Sequence, residues 1–206
     1  MFFNFGKTGG AGGAGTYYFD ELNFVAGAAG GGDGGGSGSG AALLVTFDDA
    51  AVTYTLTGFG GAEDATVVSG VAGANGKVAR IIKSATAELW AGTTVSTGAN
   101  ESIATIAFTA SAKTMSLRVY TPAAGIPVRL KVETAGDPTR SVETEAVTTV
   151  AGGWETLTFN FATQAPGTAA LNLAFTYNKA SVFFNFGKTG GAGGAGTYYF
   201  DELKLN

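Results

Sequence analysis

From Ala41 onward, apolar and polar positions alternate in short runs separated by Gly, Pro, Asn or Asp, which is the pattern of strands joined by turns. Thirteen runs are expected as strands: Leu43 to Phe47, Val52 to Thr57, Ala65 to Ser69, Val78 to Ile82, Glu88 to Val95, Thr105 to Phe108, Thr114 to Tyr120, Val128 to Glu133, Val142 to Thr149, Glu155 to Phe161, Ala170 to Phe175, Ser181 to Phe186 and Thr197 to Leu205. In Thr114 to Tyr120, Met115, Leu117 and Val119 share one face, and Ser116, Arg118 and Tyr120 share the other. In Val128 to Glu133, Val128, Leu130 and Val132 oppose Arg129, Lys131 and Glu133. The next run sets Glu143 and Glu145 against Val142, Thr144 and Ala146, so a ladder of opposite charges between these two strands is expected. Short strands with frequent turns and no Leu-rich helical spacing predict an all-β fold, a two-sheet β-sandwich of the jelly-roll kind.

The pattern also repeats. Phe2 to Leu22 and Phe183 to Leu203 read the same 21 letters, FFNFGKTGGAGGAGTYYFDEL. Two apolar runs around a glycine-rich stretch read as a β-hairpin, present twice. Identity over this length predicts a tandem array, with residues 1–25 the tail hairpin of a preceding repeat and Met1 standing where Val182 stands in the second copy. Residues 26–40, AGAAGGGDGGGSGSG, bury almost nothing and read as a flexible linker. Residues 41–206 are then the working unit, long enough for one domain with a sizeable core.

Composition narrows the chemistry. The chain has no Cys and no His, which removes disulfides, thiol nucleophiles and histidine bases. A net charge of −4 without a Lys/Arg block argues against nucleic acid as a partner. No apolar run reaches the roughly 20 residues of a membrane-spanning helix, and no secretory signal opens this stretch of sequence.

The ordered segments Leu44-Val-Thr-Phe-Asp-Asp49, Glu88-Leu-Trp-Ala-Gly92, Met115-Ser-Leu-Arg-Val-Tyr-Thr-Pro122, Val128-Arg-Leu-Lys-Val-Glu133, Gly153-Trp-Glu-Thr-Leu157 and Tyr198-Tyr-Phe-Asp-Glu-Leu203 resemble the β-jelly-roll carbohydrate-binding modules of the superfamily of families 4, 9 and 22, which are appended to secreted bacterial polysaccharide hydrolases. The resemblance covers nearly all of residues 41–206. It implies a structural calcium (Ca2+) where the first and last strands meet, with Asp48 and Asp201 at the family's acidic positions. Asp48 replaces a more common Glu and Glu202 replaces the second Asp of the closing strand, so backbone carbonyls and Asp49 or Glu202 are expected to complete the shell. The resemblance also implies glycan binding on a concave sheet face, where aromatic rings stack on sugars and charged groups bond hydroxyls. If the strands concerned share one sheet, that face holds Trp90, Glu88, Arg118, Tyr120, Arg129, Lys131, Glu133, Glu143 and Glu145. The alternative for Trp90 is a core tryptophan, and for the charges a solvated outer face. Trp154, after a Gly-Gly turn, reads as packing.

Other motifs fail on context. Gly10-Ala-Gly-Gly-Ala-Gly15 and its twin from Gly191 spell a dinucleotide fingerprint but lead into a strand, not a helix. Gly187-Lys-Thr lacks the earlier glycine of a phosphate loop, because Phe183 stands there. Asn100-Glu-Ser102 is a sequon common by chance. Glu143 and Glu145, neighbours on one strand face, are badly placed to flank a glycosidic bond, so the chain is not expected to be an enzyme. Two functions follow. One is a non-catalytic module of a secreted or cell-surface protein, binding a β-glucan-like polysaccharide. The other is a structural repeat of an adhesin, surface layer or filament that joins neighbouring repeats or chains by donating the duplicated hairpin.

Overall fold

The computed structural model describes residues 42–206. The first copy of the duplicated segment and the linker, and with them the expected boundaries at residues 25 and 40, lie outside the described residues. Eleven strands are formed: β1 (Ala42–Val45), β2 (Thr55–Phe59), β3 (Asp64–Val68), β4 (Val78–Lys83), β5 (Gly92–Ser96), β6 (Thr114–Thr121), β7 (Pro127–Thr134), β8 (Asp137–Val147), β9 (Gly153–Asn160), β10 (Lys179–Phe184) and β11 (Gly196–Leu205). They form two antiparallel sheets, one ordered β3-β4-β11-β6-β9 with β1 also on β11, the other ordered β2-β5-β10-β7-β8. The chain is an all-β sandwich.

The core follows from the alternation. Met115, Leu117 and Val119 of β6 are buried and face Val128, Leu130 and Val132 of β7 across the sandwich, with Val182 and Phe184 of β10 and Phe200 and Leu203 of β11 in the same cluster. Parity fails where the chain leaves the ladder. Glu88 to Trp90 belong to a turn closed by the Ala91 N–H on the Glu88 carbonyl at 3.1 Å, and β5 begins only at Gly92. Thr105 to Phe108 contribute a single bridge, Ile106 to Tyr177, and Ala170 to Phe175 form no strand. Both stretches are apolar because they pack against the core: Phe108 meets the rings of Phe161 and Tyr177 with centroids at 5.1 and 5.7 Å, and Leu171 and Phe175 lie on the same cluster.

The second copy of the duplicated segment is not a hairpin. Its strands β10 and β11 lie in opposite sheets and do not pair with each other. The connection is an arch across the sandwich, with Phe184 and Tyr198 stacked between the sheets at 4.8 Å and 6°. Each strand is central: β10 pairs with β5 and β7, and β11 pairs with β4 and β1 on one side and β6 on the other. The reading as a hairpin failed because two apolar runs around a glycine loop look alike whether the runs pair or cross. The arch is anchored by Lys83. Its buried ammonium donates to the carbonyls of Phe184 and Asn185 at 3.3 and 3.0 Å, and burial lowers its pKa. Gly190 is required beneath it, because a Cβ there would lie 2.1 Å from the Ser84 carbonyl oxygen.

Candidate binding groove

Residues pointing away from the core on β2, β5, β10, β7 and β8 are aligned by the ladder. One row across the sheet reads Thr57, Thr94, Ser181, Lys131, Glu143. On one side of it Phe183, Arg129 and Glu145 are in register, and on the other Lys179, Glu133 and Ser141. Over these rows lies a groove of about 570 Å³, walled by Pro166, Gly167 and Thr168 from the β9–β10 connection. This is within the size range of small-ligand sites.

One end of the groove is aromatic. Trp90 stacks on Phe59 (6.2 Å, 19°), Phe59 meets Phe183 edge to face at 5.6 Å, and Phe183 meets Phe186 at 5.8 Å. Trp90 is no core residue, since it is 48% exposed. Its ring lies over Gly60, where the backbone has φ +66° and a Cβ would stand 2.8 Å from Cζ3, so only glycine leaves the ring its place. The rest of the groove is polar, and each of its three cations is paired, with one carboxylate in excess. Arg129 donates to Glu143 at 3.1 Å and to Glu145 at 3.3 Å, and its guanidinium lies 3.5 Å from the centre of the Phe186 ring. Lys131 pairs with Glu133 at 2.9 Å and Lys179 with Glu101 at 2.5 Å. The hydrogen bond from Lys179 draws the Glu101 carboxyl below its ordinary range. Between these pairs, the Thr94 and Ser181 hydroxyls share a 2.7 Å hydrogen bond.

Six of the nine residues expected on the glycan face thus lie on this sheet surface: Trp90, Arg129, Lys131, Glu133, Glu143 and Glu145. Glu88 is exposed in the turn before Trp90 and does not line the groove. Arg118 and Tyr120 are displaced altogether, because β6 belongs to the other sheet. There they form a second aromatic cluster. Tyr120 lies 5.9 Å from Trp154 and 5.6 Å from Tyr199, and the Arg118 guanidinium is 4.6 Å from the centre of the Trp154 ring. A turn folds over this cluster, with its Ala72 carbonyl accepting the Trp154 indole N–H at 3.0 Å and its Gly73 carbonyl accepting Arg118 at 2.6 Å. Trp154 is therefore packing, as expected. The pattern missed Phe59, Phe183, Phe186, Glu101 and Lys179 as groove residues. Phe183 and Phe184 are both apolar, which hides that one faces out, and only the fold brings Glu101 to Lys179.

At the β1–β11 junction, Asp48 and Asp201 lie near enough to repel. Asp201 is 1% exposed, and its pKa is pushed up to about 7 by burial first and then by the charges of Glu202 and Asp48. The Asp48 carboxylate accepts the Lys77 N–H at 2.8 Å, and the Glu202 N–H donates to Asp201 at 2.7 Å. The backbone is bent at both places, with left-handed φ of 60° at Phe47 and 51° at Glu202 and a bulge between Asp201 and Lys204. Asp49 and Glu202 are otherwise engaged, the first accepting the Ala51 N–H at 2.9 Å and the second Lys204 at 2.6 Å. Among the described residues no three carboxylates gather at one point. A hard cation there would have the two carboxylates of Asp48 and Asp201 to bind, with Arg118 beside Asp201 as a partial counter-charge.

No protein-family model and no curated protein matches the chain. Solved structures do. The family 11 carbohydrate-binding module of a cellulosomal cellulase of Clostridium thermocellum is 15% identical, with a TM-score of 0.50 over 82% of this chain and 95% of that one. A structure of the family 11 module from the same organism, in complex with a β-1,3-1,4-mixed-linked tetrasaccharide, is 15% identical with a TM-score of 0.47, covering 81% of this chain and 96% of that one. A family 30 carbohydrate-binding module is 9% identical with a TM-score of 0.48, covering 73% and 76%. The chain has the β-sandwich fold of carbohydrate-binding modules.

Proposed function

We propose that the groove over β2-β5-β10-β7-β8 binds a polysaccharide without cleaving it, as a module of a secreted or cell-surface protein. The observation that carries this reading is the half-exposed Trp90 on Phe59, set beside a floor of hydroxyls and paired ions. A sugar ring stacks by its apolar face on the indole while its hydroxyls bond the polar floor. The fold shared with the family 11 module of a cellulase supports the same reading. Charge selects the class of glycan. Arg129, Lys131 and Lys179 each already hold a carboxylate and one carboxylate is in excess, so these residues offer no unpaired cation to a uronate or sulfate, and a neutral chain of the β-glucan kind fits best. Glu143 and Glu145 are both tied to Arg129, which suits binding and not acid–base work.

The test is affinity electrophoresis and calorimetry of the intact chain on neutral and acidic polysaccharides. Binding to a neutral glucan or mannan, lost in Trp90→Ala, is expected. Failure to bind any neutral polysaccharide overturns the reading. Because no groove cation is free, raising NaCl from about 0.05 to 0.5 M is expected to change the affinity less than about twofold.

We further propose a structural calcium held by Asp48 and Asp201 with backbone carbonyls completing its shell, where it would pin β1 to the bulge of β11. Calcium is expected to raise the melting temperature of the wild type and not of Asp201→Asn. Assembly by donation of the duplicated segment is a second reading, favoured by the sequence identity of the two copies alone.

A further inference from the structure

The two ends of the groove are built differently. Away from Trp90, Lys179 lies on the outer face of β10 four residues from Phe183, about 13 Å along the strand, and holds the Glu101 carboxylate at 2.5 Å. Both side chains line the groove and both are partly open to solvent, Glu101 at 38% and Lys179 at 21%.

The backbone that brings Glu101 there is strained. Ala99 to Ser102 form a turn closed by the Ser102 N–H on the Ala99 carbonyl at 3.1 Å, and both central residues are left-handed, with φ 55° at Asn100 and 57° at Glu101. A turn of this kind favours Asn followed by Gly, and Glu stands at the glycine position. Asn tolerates the conformation, whereas the Cβ of Glu crowds the following carbonyl. The turn is docked beside β10 by the Ile103 N–H on the Asn178 carbonyl at 2.8 Å, so its place does not depend on the Glu101 side chain. An ion pair this exposed stabilises by less than a left-handed side chain costs. Stability therefore gives no reason for Glu over Gly at position 101, and strain kept without a packing gain points to a ligand.

What the pair offers is a donor beside an acceptor. The ammonium has N–H groups beyond the one given to Glu101, and the carboxylate has lone pairs beyond the one that takes Lys179. Hydroxyls on adjacent carbons of a sugar ring stand about one hydrogen-bond length apart, so one can accept from Lys179 while its neighbour donates to Glu101. A 1,4-linked hexopyranose leaves such a pair free on its second and third carbons. A 1,3-linked one does not, because its free hydroxyls flank the substituted third carbon.

We propose that Glu101 and Lys179 form a diol clamp by which the groove selects 1,4-linked over 1,3-linked neutral glycans, while Trp90 supplies affinity common to both. This rests on the reading of the groove as a glycan site.

Calorimetry of the intact chain on cellohexaose, mannohexaose and laminarihexaose tests the clamp, with Glu101→Gly and Trp90→Ala beside the wild type. The wild type is expected to prefer a 1,4-linked hexaose to laminarihexaose about tenfold, the effect of one hydrogen bond to a charged group. Glu101→Gly is expected to erase that preference, to keep the affinity for laminarihexaose, and to melt no lower than the wild type, since it restores the residue the turn favours. Trp90→Ala is expected to weaken binding to every hexaose. A wild type without the preference, a preference that survives Glu101→Gly, or a lower melting temperature for that variant overturns the clamp and leaves the reading of the groove standing. Binding of no hexaose, or binding indifferent to Trp90→Ala, overturns the reading of the groove and the clamp with it.

Discussion

Trp90 and Asp201 set the residue scale. Trp90 stands out of the sheet on a turn, half exposed and packed on Phe59 and Gly60, so Trp90→Ala is expected to cost about 1 kcal/mol of stability. If the indole is a binding hot spot, the same change costs affinity about 2 kcal/mol, or roughly 30-fold, measured by calorimetry on a neutral polysaccharide. Asp201 makes the opposite kind of statement. Its folded pKa of about 7 lies above its ordinary value of 3.8, so the folded state holds this proton more tightly than the unfolded chain does. Its contribution is therefore most favourable below about pH 4 and is lost as the pH rises through about 7. In chelator, urea midpoints of wild type relative to Asp201→Asn are expected to fall across that window, by as much as about 4 kcal/mol in stability, and calcium is expected to cancel the fall. Both side chains could be picked from the sequence. What could not be read there was Trp90's partner, because Phe59 becomes its neighbour only through the turn at Gly60 and Gly61.

At the scale of elements, alternation carried most of the information. The inward faces of β6 and β7 were legible to the residue because buried Met115, Leu117 and Val119 alternate with Ser116, Arg118 and Tyr120, and buried Val128, Leu130 and Val132 with Arg129, Lys131 and Glu133. Where both neighbours in sequence are apolar, as at Phe183 and Phe184, parity gives no direction, and half of the aromatic end of the groove was hidden for that reason. Strand partnership was equally opaque: Arg118 and Arg129 sit on consecutive strands of similar pattern, yet β6 and β7 belong to opposite sheets. The anchor of the arch is a test of this scale. Lys83→Met keeps the stem and removes the donor for two buried carbonyls, which is expected to cost about 2–4 kcal/mol in denaturant unfolding. Gly190→Ala drives a methyl against the Ser84 backbone and is expected to destabilise by a similar amount, whereas Gly191→Ala, whose methyl would lie 3.8 Å from the Ala85 carbonyl oxygen, is expected to change the midpoint little.

For the whole molecule, the sandwich class was legible from turn frequency and strand length, while the order of strands within each sheet was not. That order depends on which edges meet after collapse, and strands of similar composition do not encode it locally. The placement of β10 and β11 has a bearing on how the domain is made. A ribosome delivers β1 to β9 first, and at that point each sheet lacks a central strand: β5 faces β7 across one gap and β4 faces β6 across the other. Until the arch emerges, the newborn domain is four half-sheets with raw inner edges, the state in which chains stick to one another. Closure is then a single event, in which one connected segment zips into both layers.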